Sequence, residues 1–202
     1  MTTTKKTDTS SVFPFAVGLN KAAFTQLTGC SVTRSGTTAT LTKNGHGLSN
    51  GDLVFIDGFN LTEYNGIFTV ANSQTNTFDY TIKQDPGANS AGSTGTVDKA
   101  VVSASVDLRT ALGAFLAFEI QNTTTGPTVA PTVAIGSADT DVEAEYWWHP
   151  LFQGHTVANY RTSFRGALDV GERYVKVAMY GNTAQAVDYK AMLNAIASLT
   201  TT

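Results

Sequence analysis

Charge and cysteine are both scarce in this sequence. Only 14% of its 202 residues are Asp, Glu, Lys or Arg, and the net charge is −3. Because there is no basic stripe to neutralise phosphates, the composition argues against a nucleic-acid-binding protein. The single cysteine, Cys30, excludes an internal disulfide and a cysteine zinc cluster. We expect Cys30 to be a small buried residue.

Long apolar runs and catalytic motifs are also missing. No stretch approaches the roughly 20 apolar residues that span a bilayer. No apolar region follows Lys5 and Lys6, so we expect no secretory signal and no membrane partner. The sequence contains no nucleophile elbow, zinc-protease helix, phosphate-binding loop or dinucleotide fingerprint. We therefore expect a protein that is not an enzyme and that needs no cofactor.

Short apolar segments separated by small polar residues make up most of the chain. Residues 53–56, 67–70 and 77–82 are predicted strands, and Asn50-Gly51-Asp52 is a turn that requires positive φ at Gly51. This alternation of strand and turn is typical of a small barrel or sandwich. The residues expected to share its core are Val54, Ile56, Phe68 and Tyr80.

Further strands are predicted on both sides of this region. Residues 12–24 alternate in polarity, and Pro14 restricts that strand to a sheet edge or to the strand's start. A hairpin is predicted over 31–42, and a linker without core residues over 83–95. Later predicted strands cover 112–120, 129–135 and 175–178. The apolar residues of the segment 184–199 fit both the alternation of a strand and the spacing of a helix, and we favour a final strand over a helix.

Three consecutive motifs in the first half carry a family resemblance. They are H-G-L-x-x-G-D-x-V-x-I-x-G at 46–58, Y-N-G-x-F-x-V at 64–70 and T-F-x-Y at 77–80. This pattern resembles a small β-barrel module found in structural proteins of tailed-bacteriophage virions. A similar module occurs in ubiquitin-activating enzymes, so the module alone does not name a function.

The second half has a resemblance of its own. It contains D-L-R-T at 107–110, G-A at 113–114, N-x-x-x-G-P-T at 122–128, V-K-V at 175–177 and G-N-T at 181–183. This order looks like a sandwich domain of small phage structural proteins, and neither pattern carries catalytic residues. We predict an all-β chain, a β-barrel module plus an Ig-like or jelly-roll β-sandwich. The predicted divisions are an N-terminal arm and leading strand (1–28), the barrel module (29–98) and the sandwich (99–202).

The segment 139–148 has the residue types of an interaction surface. Carboxylates alternate along its first part, and an aromatic triplet follows them. If the segment were extended, the carboxylates would share one strand face, where they could hold a cation such as Ca²⁺ or meet a basic partner. A solvated loop or a charge-protected edge strand is the interpretation we favour. Two consecutive tryptophans cannot both enter one core, so we expect one of them at an interface between subunits. The interface candidates are Asp139, Asp141, Glu143, Glu145, Tyr146, Trp147 and Trp148.

The three histidines do not form a recognisable site. His46 lies in a glycine turn, where a structural hydrogen bond is the favoured role. His149 and His155 would need further ligands from the acidic run, so we predict no metal site.

The two resemblances, together with the absence of catalytic motifs, imply a non-catalytic structural protein located in the virion of a tailed phage. A capsid decoration or cement role is the first hypothesis, and a tail, baseplate or fibre-associated role is the second. A carbohydrate-binding module using Trp147 and Trp148 is the rival class. The expected partners are the major capsid protein or tail proteins, with a homo-oligomer in the particle. The polar arm 1–11 is expected to contact another chain.

Overall fold

Short strands make up most of this computed structural model, which describes residues 10–90, 93–109, 111–142, 146–168 and 173–197. Within those ranges there is no α-helix, and one short 3-10 turn lies at Thr62–Tyr64. The predicted all-β fold class is confirmed. The strands are β1 (Ser10–Lys21), β2 (Leu27–Ser35), β3 (Thr38–Thr42), β4 (Leu53–Asp57), β5 (Gly66–Thr69), β6 (Thr77–Thr81), β7 (Gly95–Val102), β8 (Val106–Asp107), β9 (Ala111–Asn122), β10 (Thr132–Ala138), β11 (Trp147–Gln153), β12 (Arg161–Leu168), β13 (Tyr174–Tyr180) and β14 (Val187–Ala197).

The barrel module is built from β2 to β7 around its own core. Gly36, at φ +60°, lies in the tight turn between β2 and β3, and Gly51, at φ +87°, precedes β4. Both values are in the region that favours glycine. The core contains Val54, Ile56, Phe68 and Tyr80, as predicted, together with the fully buried Cys30.

The second core lies between two sheets. One sheet has the strand order β1-β14-β9-β12, and β10, β11 and β13 belong to the facing sheet. Alternate residues of β9, among them Leu116 and Ile120, point inward and pack with Val177 of β13 and Leu193 of β14. Burial therefore alternates with period two in β9 and β14, whereas most positions of β10 and β13 are buried.

The leading strand β1 belongs to the sandwich. It pairs antiparallel with β14 from Ser10 opposite Ile196 to Lys21 opposite Val187, and it forms the edge of its sheet. Pro14 thus lies in an edge strand, where its missing N–H costs least. Ser10 and Ser11 of the predicted arm are part of β1, and the rest of that arm is outside the described residues. The choice of a strand over a helix for the last segment is confirmed by β14.

Strand β7 connects the two cores. Its first half pairs with β2 and β4, and its second half pairs with β13, through Met179 opposite Val101. A third buried cluster lies at this junction and includes Ile67, Ala134 and Tyr180. The predicted boundary between residues 98 and 99 falls inside β7, so the division into domains stays a prediction.

Strand β10 begins later than predicted. Residues 129–135 were expected to form it, whereas it runs from Thr132 to Ala138. Pro131 has no N–H to donate to a neighbouring strand, and this explains the later start. No helix in the described ranges is long and apolar enough to cross a membrane.

Candidate functional site

The acidic run begins where β10 ends. Asp139 and Asp141 lie in an exposed bend after Ala138, so the extended strand face considered for them is not formed at these two positions. Glu143 and Glu145 are outside the described residues. The carboxylate of Asp139 lies 3.7 Å from Nε of Arg173, and both side chains are exposed.

Asp141 is tied to its surroundings by two hydroxyl groups. Oγ of Ser105 donates to its carboxylate at 2.6 Å, and the Tyr146 hydroxyl donates at 2.7 Å. These hydrogen bonds, the Ser105 bond foremost, lower the pKa of Asp141. Asp141 thus fixes the loop to Tyr146. Among the described residues, no three His, Cys, Asp or Glu side chains are close enough to hold a metal ion.

The aromatic triplet divides between inside and outside. Tyr146 is buried, Trp147 is 65% exposed, and Trp148 is half-buried against Gly136. A methyl group on Gly136 would lie 2.8 Å from the Trp148 ring, so the glycine makes room for the indole. Since the two tryptophans begin strand β11, their side chains face opposite ways, as the sequence required.

Strand β11 lies at a sheet edge, because its described partner is β10 alone. The exposed Trp147 ring is covered on one side by the ammonium of Lys83, whose Nζ lies 3.8 Å from the ring centroid. The same Nζ donates to the Tyr146 carbonyl oxygen at 2.5 Å. Trp147 is therefore held in place by its neighbour and is still largely open to solvent.

A cleft of about 470 Å³ separates this edge from the barrel module. One wall is formed by the 3-10 turn and β5, the other by the start of β11. Its aromatic side is flanked by amide, hydroxyl, carboxylate and ammonium groups, which are the groups that bind polar ligands. The lining residues are Thr62, Glu63, Asn65, Gly66, Ile67, Phe68, Lys83, Gln84, Tyr146, Trp147 and Trp148.

The histidines lie apart from this cleft. His46 is buried, its Nδ1 accepts from the Leu48 N–H at 3.1 Å, and its Nε2 lies 3.2 Å from the Thr77 carbonyl oxygen. The structural role predicted for His46 is confirmed. His149 lies on β11, and the His155 ring packs on Tyr160 with centroids 4.5 Å apart.

Sequence reasoning missed a second polar group, at the junction of the two cores. Lys21, Asp98 and Asn182 are 2%, 1% and 0% exposed and come from β1, β7 and the turn after β13. Burial lowers the pKa of Lys21 to about 8 and raises the pKa of Asp98 to about 7. Asp98 does interrupt an apolar strand, but nothing in the sequence joins it to residues so far away.

Comparisons with known proteins found only distant likenesses, all of them to solved structures. No protein-family model matches the chain, and no curated protein matches it. Three similar solved structures are the tailspike protein 4 enzymatically active domain of bacteriophage CBA120, the infectious bursal disease virus Gx strain, and the family 11 carbohydrate-binding module of Clostridium thermocellum.

All three likenesses are distant. The tailspike is 10% identical with a TM-score of 0.33, over 85% of this chain and 19% of its own. The bursal disease virus chain is 10% identical with a TM-score of 0.38, over 97% and 74%. The carbohydrate-binding module is 9% identical with a TM-score of 0.32, over 91% and 98%. This chain thus spans about a fifth of the tailspike chain, and these scores carry no argument about activity or partners.

Proposed function

We propose that this chain is a non-catalytic structural component of a tailed-phage virion, and first of all a capsid decoration protein. The two sequence resemblances support the virion, and the single observation that supports a packing role is Trp147. This side chain is 65% exposed on an edge strand. A large rigid aromatic group in that position has the properties of an interface anchor.

The surroundings of Trp147 fit the same role. Among the described strands, β11 has a neighbour on one side only, and exposed loop carboxylates lie close by in sequence. An apolar anchor with a polar rim is the usual composition of a protein interface. The partner in this proposal is another virion protein, and the particle contains several copies of the chain.

Binding to particles that lack the protein tests the proposal. We expect Trp147→Ala to weaken binding by at least about 30-fold, which corresponds to about 2 kcal/mol. Phe115→Ala is the matched control, because Phe115 is also an exposed aromatic but lies on β9 of the opposite sheet. Equal binding by the wild type and Trp147→Ala would contradict the proposed interface.

Copy number separates the two locations within the virion. Decoration requires on the order of hundreds of copies per particle, whereas a neck, tail or baseplate component needs about a dozen or fewer. Quantitative mass spectrometry of purified particles, normalised to the major capsid protein, distinguishes them. A low count would favour the tail, baseplate or fibre-associated role.

The cleft favours saccharide binding as a second candidate function. Trp147 offers a ring face, while Gln84 contributes an amide and Glu63 a carboxylate to the lining of the same cleft. A glycan array with the wild type, Trp147→Ala and Gln84→Ala tests this. Binding lost in both variants would support saccharide recognition, and no binding by the wild type would remove it.

A further inference from the structure

Three buried polar side chains meet where β1, β7 and the β13–β14 turn converge. Nζ of Lys21 donates to Oδ1 of Asn182 and, at 3.2 Å, to the Gly181 carbonyl oxygen. The carboxylate of Asp98 lies by the backbone N–H of Gly181, and Asp98 is the charged residue with the largest effect on the pKa of Lys21. An amine, a primary amide and a carboxyl group therefore share one buried site.

As separate ionised groups, Lys21 and Asp98 would be costly to bury. Both oxygens of Asp98 are buried without a hydrogen bond of normal geometry among the described residues. The backbone N–H groups of Gly181 and Lys99 lie near enough to lower its pKa, but they do not balance the effect of burial. Over the same residues, no carboxylate lies within ion-pair distance of Lys21, whose two acceptors are neutral oxygens. A buried charge without a direct partner is normally avoided, so this arrangement calls for a chemical explanation.

Hydrogen bonds from its side-chain nitrogen hold the carboxamide of Asn182 in place. Nδ2 donates to the carbonyl oxygens of Gln185 at 2.7 Å, Lys21 at 3.2 Å and Ala22 at 3.3 Å. The backbone of Asn182 has φ +54°, a left-handed conformation that asparagine tolerates better than most residues. These contacts fix the carboxamide so that its oxygen side faces the lysine amine.

We propose that Lys21 and Asn182 join spontaneously in an intramolecular isopeptide bond, with Asp98 as the group that carries the protons. The reactants are the Lys21 amine and the Asn182 carboxamide, and the products are a secondary amide and ammonia. The bond links the end of β1 to the turn that leads into β14. It requires no cofactor, oxidant or reductant.

The atoms balance in two steps. First, the lone pair of a neutral Nζ attacks Cγ of Asn182 and the C=O π electrons move to Oδ1. The Asp98 side chain turns into hydrogen-bond range as the groups react, and it then transfers a proton from nitrogen to oxygen. Then the Cγ–Nδ2 bond breaks as the carbonyl re-forms, and Nδ2 leaves as ammonia after receiving a proton through Asp98. Asp98 ends in the protonation state in which it began.

The protonation states of the buried site suit this reaction. Burial lowers the pKa of Lys21 to about 8, which increases the fraction of neutral, nucleophilic amine. It raises the pKa of Asp98 to about 7, so this carboxyl group both accepts and donates protons near neutral pH. The stacked rings of Phe55 and Tyr180 lie beside Asp98 in the register, since Phe55 is its strand partner.

The product removes the cost that the separate groups impose. An amide replaces the buried ammonium, and its N–H still has the Gly181 carbonyl oxygen available as an acceptor. The bond also closes the chain between residues 21 and 182, so that β1 can no longer separate from its sheet at that end. Such a cross-link stabilises mainly by restricting the unfolded chain.

Intact-mass spectrometry of the purified full chain tests the proposal. We expect a mass lower than the sequence mass by about 17 Da, the mass of ammonia. Trypsin should then release one branched peptide that joins residues 7–34 to residues 177–190, because modified Lys21 is no longer cleaved. The full sequence mass in the wild-type protein would overturn the proposal.

Succinimide formation at an Asn-Gly pair also releases ammonia, so variants are needed to identify the bond. Lys21→Arg keeps the positive charge but removes the reactive amine, and Asn182→Ala removes the acceptor carbon. Both should show their full sequence mass. A persistent loss of about 17 Da in either variant, or a wild-type digest without the branched peptide, would contradict a bond between these two residues.

Asp98→Asn tests the proton carrier separately. The substitution removes a buried charge and keeps the side-chain shape, so the variant is expected to fold. It should show the full sequence mass and a melting temperature lower than that of the wild type by roughly 10 °C. Formation of the bond at an unchanged rate in Asp98→Asn would refute the role given to Asp98.

Discussion

The rings of Phe55 and Tyr180 stack face to face, with centroids 3.8 Å apart and planes 13° from parallel. Phe55 belongs to β4 of the barrel module, and Tyr180 ends β13 of the sandwich. The two cores are therefore joined by side-chain stacking as well as by the shared strand β7. Burial raises the pKa of Tyr180 to about 12, so its ring remains uncharged at neutral pH.

Removing this stack should destabilise the whole chain. We expect Phe55→Ala to lower the free energy of unfolding by about 2–4 kcal/mol, through lost burial and lost ring contact. Phe115→Ala, on an exposed position of β9, should cost less than about 1 kcal/mol. Urea denaturation of both variants measures the difference, and equal costs would show that the stack contributes little.

The turn before β4 should depend on backbone conformation alone. A side chain at Gly51 would meet no atom within 4 Å, but its φ of +87° is unfavourable for a β-branched residue. We expect Gly51→Val to cost about 1–3 kcal/mol. Gly51→Asn should cost less, because asparagine tolerates positive φ. Thermal unfolding compares them, and an unchanged melting temperature for the valine variant would contradict the expected strain.

The two neighbouring tryptophans should differ in their effect on folding. Trp148 packs on Gly136 and on the junction cluster, so Trp148→Ala should cost about 2–4 kcal/mol. Trp147 is mostly exposed, so Trp147→Ala should cost less than about 1 kcal/mol. Denaturant unfolding of the isolated chain checks both values. A large cost for Trp147→Ala would mean that it serves the fold rather than an interface.

Stability should depend on pH through Asp141. Its pKa is lowered in the folded chain, so its contribution is present above the unfolded pKa of about 3.9 and is lost as pH falls through the folded value. Asp141→Asn should therefore be less stable than the wild type at pH 7, by less than about 1 kcal/mol because the site is exposed.

The difference in melting temperature between wild type and Asp141→Asn should shrink when the measurements are repeated below about pH 4. Asp139→Asn is the matched control, since Asp139 contacts only the exposed Arg173 at 3.7 Å among the described residues. A difference that stays constant down to pH 2 would contradict the role given to Asp141.

The polar arm should matter for assembly and not for folding. Because Ser10 and Ser11 pair with β14, the deletion that tests this removes residues 1–9 only. We expect an unchanged melting temperature and reduced incorporation into particles. Incorporation equal to that of the full chain would contradict the idea, and deletion of 1–13 is a control that should also destabilise the sheet.

Local features of the fold could be predicted from the sequence because they depend on neighbouring residues. The turn at Gly51 follows from its Asn-Gly-Asp context, and alternating polarity identified β14. The opposite orientations of Trp147 and Trp148 follow from strand geometry alone. Their placement beside a cleft depends on Lys83 and the 3-10 turn, which are distant in sequence.

Long-range pairing was not visible in the sequence. No local pattern indicates that β1 lies beside β14, since many alternating segments could occupy that position. For the same reason, the sequence did not predict the buried group of Lys21, Asp98 and Asn182, because 161 residues separate the lysine from the asparagine. A single charged residue in an apolar strand marks such a site, but its partners become known only from the fold.

The pairing of Ser10 with Ile196 brings the two ends of the described sheet side by side. A short linker between those ends would therefore permit circular permutation, with new termini in the loop between β6 and β7. In such a molecule β1 and β14 would become consecutive strands of one hairpin. A peptide inserted into that linker would be displayed at the corner of the sheet where Ser10 pairs with Ile196.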